Sequence, residues 1–353
     1  MGSVSHSRVD SYLTCRRKEY YSYHRKLTKI DNSTGLVLGT AIHRVLAALY
    51  QHVLDAGNSL AAQKKAYPEA VKVAWLEVDR IYSEGFEDTD KRAPLRLIIE
   101  KYLQREPFID REWHDNKRQW RILGVEKEFN LEYDSETGGR YPFVIDLIVQ
   151  DPTKKIVVVD HKGLYDFYSY ETTNLMPQIP KYIGALRALN YNVSYGMYNM
   201  IRTRPESKGN KLNKAELVEL LSKSDIGEID PKMKVTELEA IADEHDIPYY
   251  EGRVLDDWAF AMEIQPSGVR VQRSFLEQIN ASMEVAELDT LDDETRDIKA
   301  YRIGNSMICK SCPFKDICSE ELRGGNVALL LQTEYKIKDK RDEILVSEEL
   351  SDE

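Results

Sequence analysis

The spacing of hydrophobic residues changes period partway along the chain. Leu38, Ile42, Val45, Leu46, Leu49 and Val53 recur every three or four positions, so 37–53 reads as a buried helix. Further helices are expected over 60–83 and 93–104. Nearer the start, Ser7 is placed to cap a short helix running through Tyr12 into Cys15-Arg16-Arg17. After Trp120 the pattern becomes that of strands, over 120–133, 141–150 and 155–160. Ser135-Glu136-Thr137-Gly138-Gly139 separates the first two, and Asp151-Pro152-Thr153 the second and third. Ile156-Val157-Val158-Val159 is an unbroken β-branched run, as in a strand buried on both faces. A helix over 177–189 and a strand over 193–201 follow. Helix, three-strand meander, helix and strand make an α/β core.

Residues 207–256 have a different character. Lys214-Ala-Glu-Leu217-Val-Glu-Leu220-Leu221 is echoed by Val235-Thr-Glu-Leu238-Glu-Ala-Ile241-Ala242, with Pro231 between. Two amphipathic helices at this spacing resemble the small helix–loop–helix modules of the SAP type, some of which touch DNA. Acidic residues outnumber basic ones here, which favours a structural or partner-binding insert over a phosphate-binding one. Strand character is expected again at 270–275 and helix over 276–300. The final stretch, Ser347-Glu-Glu-Leu-Ser-Asp-Glu353, reads as a disordered acidic tail.

At 353 residues and 42% hydrophobic, the chain can bury a sizeable core as one large domain, or one domain plus an insert. No apolar run is long enough for a membrane span. Met1-Gly2-Ser3-Val4-Ser5-His6 carries neither an apolar signal segment nor a myristoylation pattern, so an intracellular, cytoplasmic protein is expected. The net charge of −11 argues against a nucleic-acid coat protein. It leaves room for a DNA enzyme with acidic metal ligands and a local basic track. Arg8, Arg16, Arg17, Lys18, Arg25, Lys26 and Lys29 against Asp10 and Glu19 form one candidate track; a solvated helix face is the other reading.

The sharpest chemistry lies where the second and third strands end. Asp146 interrupts the apolar stretch Phe143-Val144-Ile145-Asp146-Leu147-Ile148, and Asp160 closes the next strand ahead of His161 and Lys162. A carboxylate in a buried strand is costly unless paired or bound to a metal. Two on adjacent strands can converge on one ion, and oxygen ligands beside a phosphodiester suit Mg²⁺ or Mn²⁺. Lys162, two residues from Asp160, points to the same side of an extended strand, where its ammonium can orient a metal-activated water. Asp160 and Lys162 alone would read as a surface salt bridge; Asp146 is harder to explain that way. Glu126, in Val125-Glu126-Lys127-Glu128-Phe129, is a further candidate carboxylate, although a solvent-facing strand glutamate is the simpler reading.

In this order the motifs resemble the RecB-like branch of the PD-(D/E)XK nucleases, which includes the nuclease domains of RecB and AddB, CRISPR-associated adaptation nucleases and phage exonucleases. Gly39-Thr40-Ala41-Ile42-His43 looks like the branch's helix motif, Asp146 like its motif II aspartate and Asp160-His161-Lys162 like its (D/E)-x-K motif. Gln178-Ile179-Pro180-Lys181-Tyr182 looks like its Q-x-x-x-Y helix. Ile145 stands where the eponymous proline would be, and Asp160 where some relatives carry glutamate. The resemblance covers about 1–206 and the cysteine-bearing C-terminal part. It implies a restriction-endonuclease-like core, a central mixed β-sheet flanked by helices, with the small helical insert added. It further implies a divalent ion held by His43, Asp146, Asp160 and the backbone carbonyl of His161. Asp146, Asp160 and Lys162 would be catalytic, and Gln178 and Tyr182 would contact DNA or support the lysine. Without it, His43 would read as a core histidine.

Four cysteines complete the picture: Cys15, then Cys309, Cys312 and Cys318 in C-x₂-C-x₅-C spacing. Four thiolates hold a [4Fe–4S] cluster or a zinc ion. The layout resembles the iron–sulfur subset of the same nuclease branch, in which one N-terminal cysteine joins three near the C-terminus and clips the chain ends together. The organisation expected is therefore a nuclease core over 1–206, an insert over 207–256, the rest of the nuclease with the cysteines over 257–336, and an acidic tail over 337–353. The resemblance points to a DNA exonuclease of recombination, repair or phage DNA processing, acting on DNA that is single-stranded or has a free end. No G-x-x-x-x-G-K-[ST] loop is present, so any unwinding would need a helicase or recombination partner. Two other readings stay open: a catalytically silent DNA-binding or assembly factor, and a zinc-stapled structural protein.

Overall fold

The computed structural model describes residues 3–30, 34–89, 91–108, 120–134, 136, 138–205, 210–224, 226, 229–245, 247, 250–251 and 258–338. Two short helices, α1 (His6–Thr14) and α2 (Arg16–Glu19), lead through a π-helical turn to β1 (Leu27–Lys29). Three helices follow, α3 (Thr34–Asp55), α4 (Leu60–Ser83) and α5 (Leu95–Leu103). The meander is β2 (Arg121–Asp134), β3 (Gly139–Gln150) and β4 (Ile156–Leu164). Then come α6 (Tyr170–Leu175), α7 (Gln178–Ala188) and β5 (Val193–Arg202). The insert holds β6 (Asn210–Lys211), α8 (Lys214–Ser222), α9 (Val235–Glu244) and β7 (Tyr250–Glu251). The C-terminal part holds β8 (Ala259–Ile264), α10 (Gly268–Leu288), α11 (Asp293–Lys299), α12 (Ser306–Lys310), α13 (Lys315–Arg323), α14 (Val327–Thr333) and β9 (Tyr335–Ile337).

The central sheet has the order β2-β3-β4-β5-β8. All its pairings are antiparallel except β4 with β5. A parallel neighbour requires a crossover, and α7 supplies it. Alternation along β4 sends Val157 and Val159 to one face, where Ile42, Leu46 and Leu49 of α3 and residues of α4 and α5 cover them. Val158 faces the other way, onto Ile179 and Ile183 of α7 and Val271 of α10. The result is the mixed five-stranded sheet between helical layers that the sequence implies. No helix among the described residues is long and apolar enough to cross a membrane.

Three local expectations change. The N-cap of α1 is Ser5, extended at φ −71° and ψ 157°, whose side chain accepts from the Arg8 N–H; Ser7 lies inside the helix, and Cys15 is extended beyond its end. The strand expected at 270–275 is the start of α10. Val271, Ser274, Gln278, Ala281, Ser282 and Val285 form its buried stripe, a helical spacing that outlasts the short apparent alternation. The strand that closes the sheet is instead β8, paired through Tyr198↔Met262 and its neighbours. Finally, β4 continues four residues past Asp160, because its parallel ladder with β5 runs on to Leu164↔Arg202. Asp160-His161-Lys162 therefore sits within a strand rather than at its end.

Much of the basic N-terminal run is tied up in ion pairs with the C-terminal part. Arg8 pairs with Glu19 and Asp289, Arg16 with Glu284, Arg17 with Asp297 and Glu321, and Lys29 with Asp316. Four of its seven cations thus bind carboxylates of the C-terminal part. Antiparallel pairing of β1 with β9 joins the two ends again. In the insert, Leu217 and Leu221 of α8 pack on Leu238 and Ala242 of α9 in a small core of their own. The acidic tail expected at 337–353 falls, beyond Lys338, outside the described residues.

Candidate active site

His43, Asp146 and His161 meet over the middle of the central strands, Asp146 within β3 and His161 within β4. The His161 N–H donates to Asp146 Oδ2 at 2.7 Å. The His161 carbonyl accepts from His43 Nε2 at 3.0 Å, and His43 Nδ1 lies 3.6 Å from Asp146 Oδ2. Glu126 joins them: one ligand atom each from His43, Glu126 and Asp146 lie within 4.8 Å of one another. The solvent-facing reading of Glu126 assumed regular alternation along β2. Burial there falls on even positions at Ile122 and Gly124 but on odd ones at Phe129 and Leu131. The parity slips in between, where Glu126 adopts a φ of +40°. The register Val125↔Leu147 and Lys127↔Ile145 then sets Glu126 opposite Asp146. A histidine nitrogen with two carboxylates, partly exposed, is a donor set that fits Mg²⁺ or Mn²⁺.

Asp160 is engaged differently. It is fully buried, and its Oδ2 lies 2.7 Å from Lys162 Nζ in an ion pair. The ammonium also donates to Gln178 Oε1 at 2.8 Å, and Gln178 Nε2 donates to Tyr182 Oη at 3.0 Å. One turn of α7 brings both side chains to this face. Burial pushes the Asp160 carboxyl up to about 6, against the attraction of Lys162. Burial also works against the Lys162 charge, but Asp160 and Asp146 outweigh it and hold its pKa above the ordinary lysine value. The ammonium is a fixed cation at neutral pH. Of the expected ligands, His43 and Asp146 stand together beside the His161 carbonyl; the Asp160 carboxylate faces the lysine.

Two groups of residues escaped the sequence reading. The His161 ring points away from Asp160 and Lys162 toward α3, edge-on to His43 and stacked on Tyr50 with ring centroids 5.9 Å apart in each case. Burial pushes its pKa down to about 3, so the ring is neutral. Asn199 Nδ2 lies 2.9 Å from its Nδ1 and also donates to Tyr102 Oη, which contacts the Tyr50 hydroxyl, itself a donor to Glu106. This buried chain anchors the residue whose backbone holds both Asp146 and His43. Asn199 in the apolar run Met197-Tyr198-Asn199-Met200 was the available signal. On the α7 side, the buried Lys181 pairs with Asp10 at 2.7 Å, and Asp10 with His6. The spacing of α7 gave no warning of this, since Lys181 reads as a solvent residue.

The cysteines are free thiols: Cys309 is exposed, and Cys15, Cys312 and Cys318 are half-buried. Cys312 and Cys318 pack against a core that includes Tyr20, Tyr21, Phe314 and Ile317. Burial raises the Cys312 thiol pKa, and the nearby charges of Cys15 and Cys309 raise it further. Burial likewise raises Cys318, which hydrogen-bonds Arg302 and lies near Cys312. Among the described residues, these sulfurs do not approach one another as tightly as the His43, Glu126 and Asp146 donors do.

No curated protein matches the chain significantly. A family model described as the PD-(D/E)XK nuclease superfamily matches residues 3–319. The match takes in all five strands of the central sheet together with Cys15 and Cys318, and on that span the chain belongs to the PD-(D/E)XK nuclease superfamily.

Proposed function

We propose that this chain is a metal-dependent deoxyribonuclease that degrades DNA from an end. The observation that carries the reading is the convergence of His43, Glu126 and Asp146 beside a lysine held charged by Asp160. A bound Mg²⁺ or Mn²⁺ lowers the pKa of a coordinated water and offsets charge on the phosphate. His43, Glu126 and Asp146 would hold the ion, with Asp160 and the His161 carbonyl nearest at hand to complete its shell. Lys162 would orient the attacking water and stabilise the negative charge that builds on the phosphoryl oxygens. Gln178 keeps the ammonium aimed, and Tyr182, 4% exposed in the α7-side core, holds Gln178 from behind, so of the two only Gln178 would meet DNA. In the net reaction, hydroxide adds to phosphorus, one P–O ester bond breaks, and the leaving oxygen takes the proton.

Exonuclease action is the part that rests on the RecB-like resemblance, as does a role in recombination, repair or phage DNA processing with a helicase or recombination partner. The test is degradation of end-labelled linear and of circular single-stranded DNA in Mg²⁺, Mn²⁺ or EDTA. Loss of the linear substrate alone, abolished by EDTA, is expected. Cutting of circles overturns the exonuclease reading. Binding without any cleavage would favour a silent DNA-binding factor.

We further propose that Cys15, Cys309, Cys312 and Cys318 hold a [4Fe–4S] cluster that fastens the N-terminal segment to the C-terminal part. The support is the placement of Cys15 beside Cys312 together with the clasp of ion pairs around them. A closed tetrahedral zinc site, with Zn–S near 2.3 Å, would draw its sulfurs to about 4 Å apart. Protein purified without oxygen should carry iron and acid-labile sulfide; stoichiometric zinc without iron would overturn this. The domain boundaries expected from the sequence accompany the proposal, with 207–256 as a partner-binding or structural insert.

A further inference from the structure

Past Lys162, β4 runs into a surface rich in aromatic rings and arginine. Arg92 and Arg204 lie over the ring of Tyr165, with Cζ 4.9 and 5.7 Å from its centroid. Arg202 lies 4.4 Å from the ring centre of Phe167, which in turn contacts Phe260, 6.3 Å between centroids. Tyr165 is 44% exposed and Phe260 38%. Tyr168 and Tyr170 follow at the surface on the way into α6.

The register fixes where this surface sits. Lys162 pairs with Met200, and Met200 with Phe260, so the three share one row and one face of the sheet. Two strand spacings put Phe260 about 10 Å from Lys162. Leu164 pairs with Arg202 one step further along the same face. Aromatic faces and guanidiniums thus begin within two strands of the catalytic lysine and continue outward.

Charge narrows the partner. Among the described residues, Asp166 is the carboxylate that pairs with Arg202 and Arg204. Arg202 and Arg204 share that carboxylate, and Arg92 donates to Thr203 Oγ1, so guanidiniums border the rings on a chain of net charge −11. Exposed rings beside cations suit unpaired bases, whose faces stack while phosphates meet arginine. A duplex hides its base faces and would use only the charge.

We infer that Tyr165, Phe167 and Phe260, with Arg92, Arg202 and Arg204, form a stacking track that leads single-stranded DNA to Lys162. The inference rests on the nuclease reading for what the strand meets at the end of the track. Its binding test does not depend on cleavage. The full chain is titrated in EDTA against fluorescein-labelled oligothymidine and against a duplex of equal length, followed by anisotropy. Tyr165→Ala should weaken single-strand binding on the order of tenfold, Phe260→Ala similarly, and Tyr165→Phe should bind as wild type. Duplex binding should be weaker and unaffected by Tyr165→Ala. Unchanged single-strand affinity in Tyr165→Ala, tighter binding to duplex than to single strand, or no single-strand binding by wild type overturns the track. Hydrolysis of bis(p-nitrophenyl) phosphate in Mn²⁺ by wild type is measured in parallel. Its absence from wild type would sink the nuclease reading while leaving the binding comparison to decide the track.

Discussion

Lys162→Ala is expected to reduce metal-dependent DNA cleavage by on the order of 10³-fold while the protein stays folded. The size follows from where the charge sits. Lys162 Nζ is held between Asp160 Oδ2 at 2.7 Å and Gln178 Oε1 at 2.8 Å, so it costs no reorganisation when charge develops on a phosphate beside it. Because Asp160 and Asp146 keep its pKa above the ordinary lysine value, it acts as an electrostatic and orienting group and not as a base that gives up its proton near neutrality. Removing it also leaves Asp160 buried without its cation, which raises that carboxyl further above about 6 and costs some stability. Lys162→Gln separates the two effects, since an amide still donates to Asp160 but carries no charge. Initial rates on linear DNA at saturating Mn²⁺, with unfolding midpoints for each protein, make the comparison. Cleavage by the glutamine variant within a few-fold of wild type would remove Lys162 from the chemistry.

Much of this site was legible because strand chemistry is local. An aspartate inside Phe143–Ile148 and an Asp-x-Lys in a β-branched strand are conspicuous against apolar neighbours, and period two tells which side chains share a face. Glu126 was misjudged because the buried face of β2 changes parity around its positive φ while the register with β3 runs on unbroken, a property of the paired strands that no single strand encodes. The start of α10 was misread as a strand because six residues of alternation satisfy both periods, and only the longer stripe through Val285 decides. The anchoring of His161 by Asn199, Tyr102, Tyr50 and Glu106 joins residues from four elements and the turn after α5, and was invisible because no one element encodes it. The basic N-terminal run shows the limit of counting charge, since its partners lie some 280 residues away along the chain.

That distant pairing supplies the other large expected effect: Glu19→Ala should destabilise the protein by about 3–5 kcal/mol. Glu19 is 2% exposed and accepts from Arg8 Nε at 2.8 Å and from Arg296 Nη2 at 3.0 Å; Arg296 is itself 1% exposed. Without Glu19, both guanidiniums must rely on Asp289, which already receives Arg8 Nη2 and Arg296 Nη1 and is partly solvated. A buried arginine left short of a counter-charge is far costlier than a lost surface pair. Lys72→Ala, which removes the exposed Lys72–Glu69 pair on α4, should therefore leave stability nearly unchanged. Urea unfolding at constant slope measures both. The consequence extends to the cysteines, because Glu19 ends the short helix that begins just after Cys15, and loosening that helix frees Cys15 from Cys312. Glu19→Ala protein purified without oxygen should accordingly retain less cluster metal than wild type even at temperatures where it remains folded. Equal losses of stability in the Glu19 and Lys72 variants would mean that the clasp between the chain ends contributes no more than an ordinary surface ion pair.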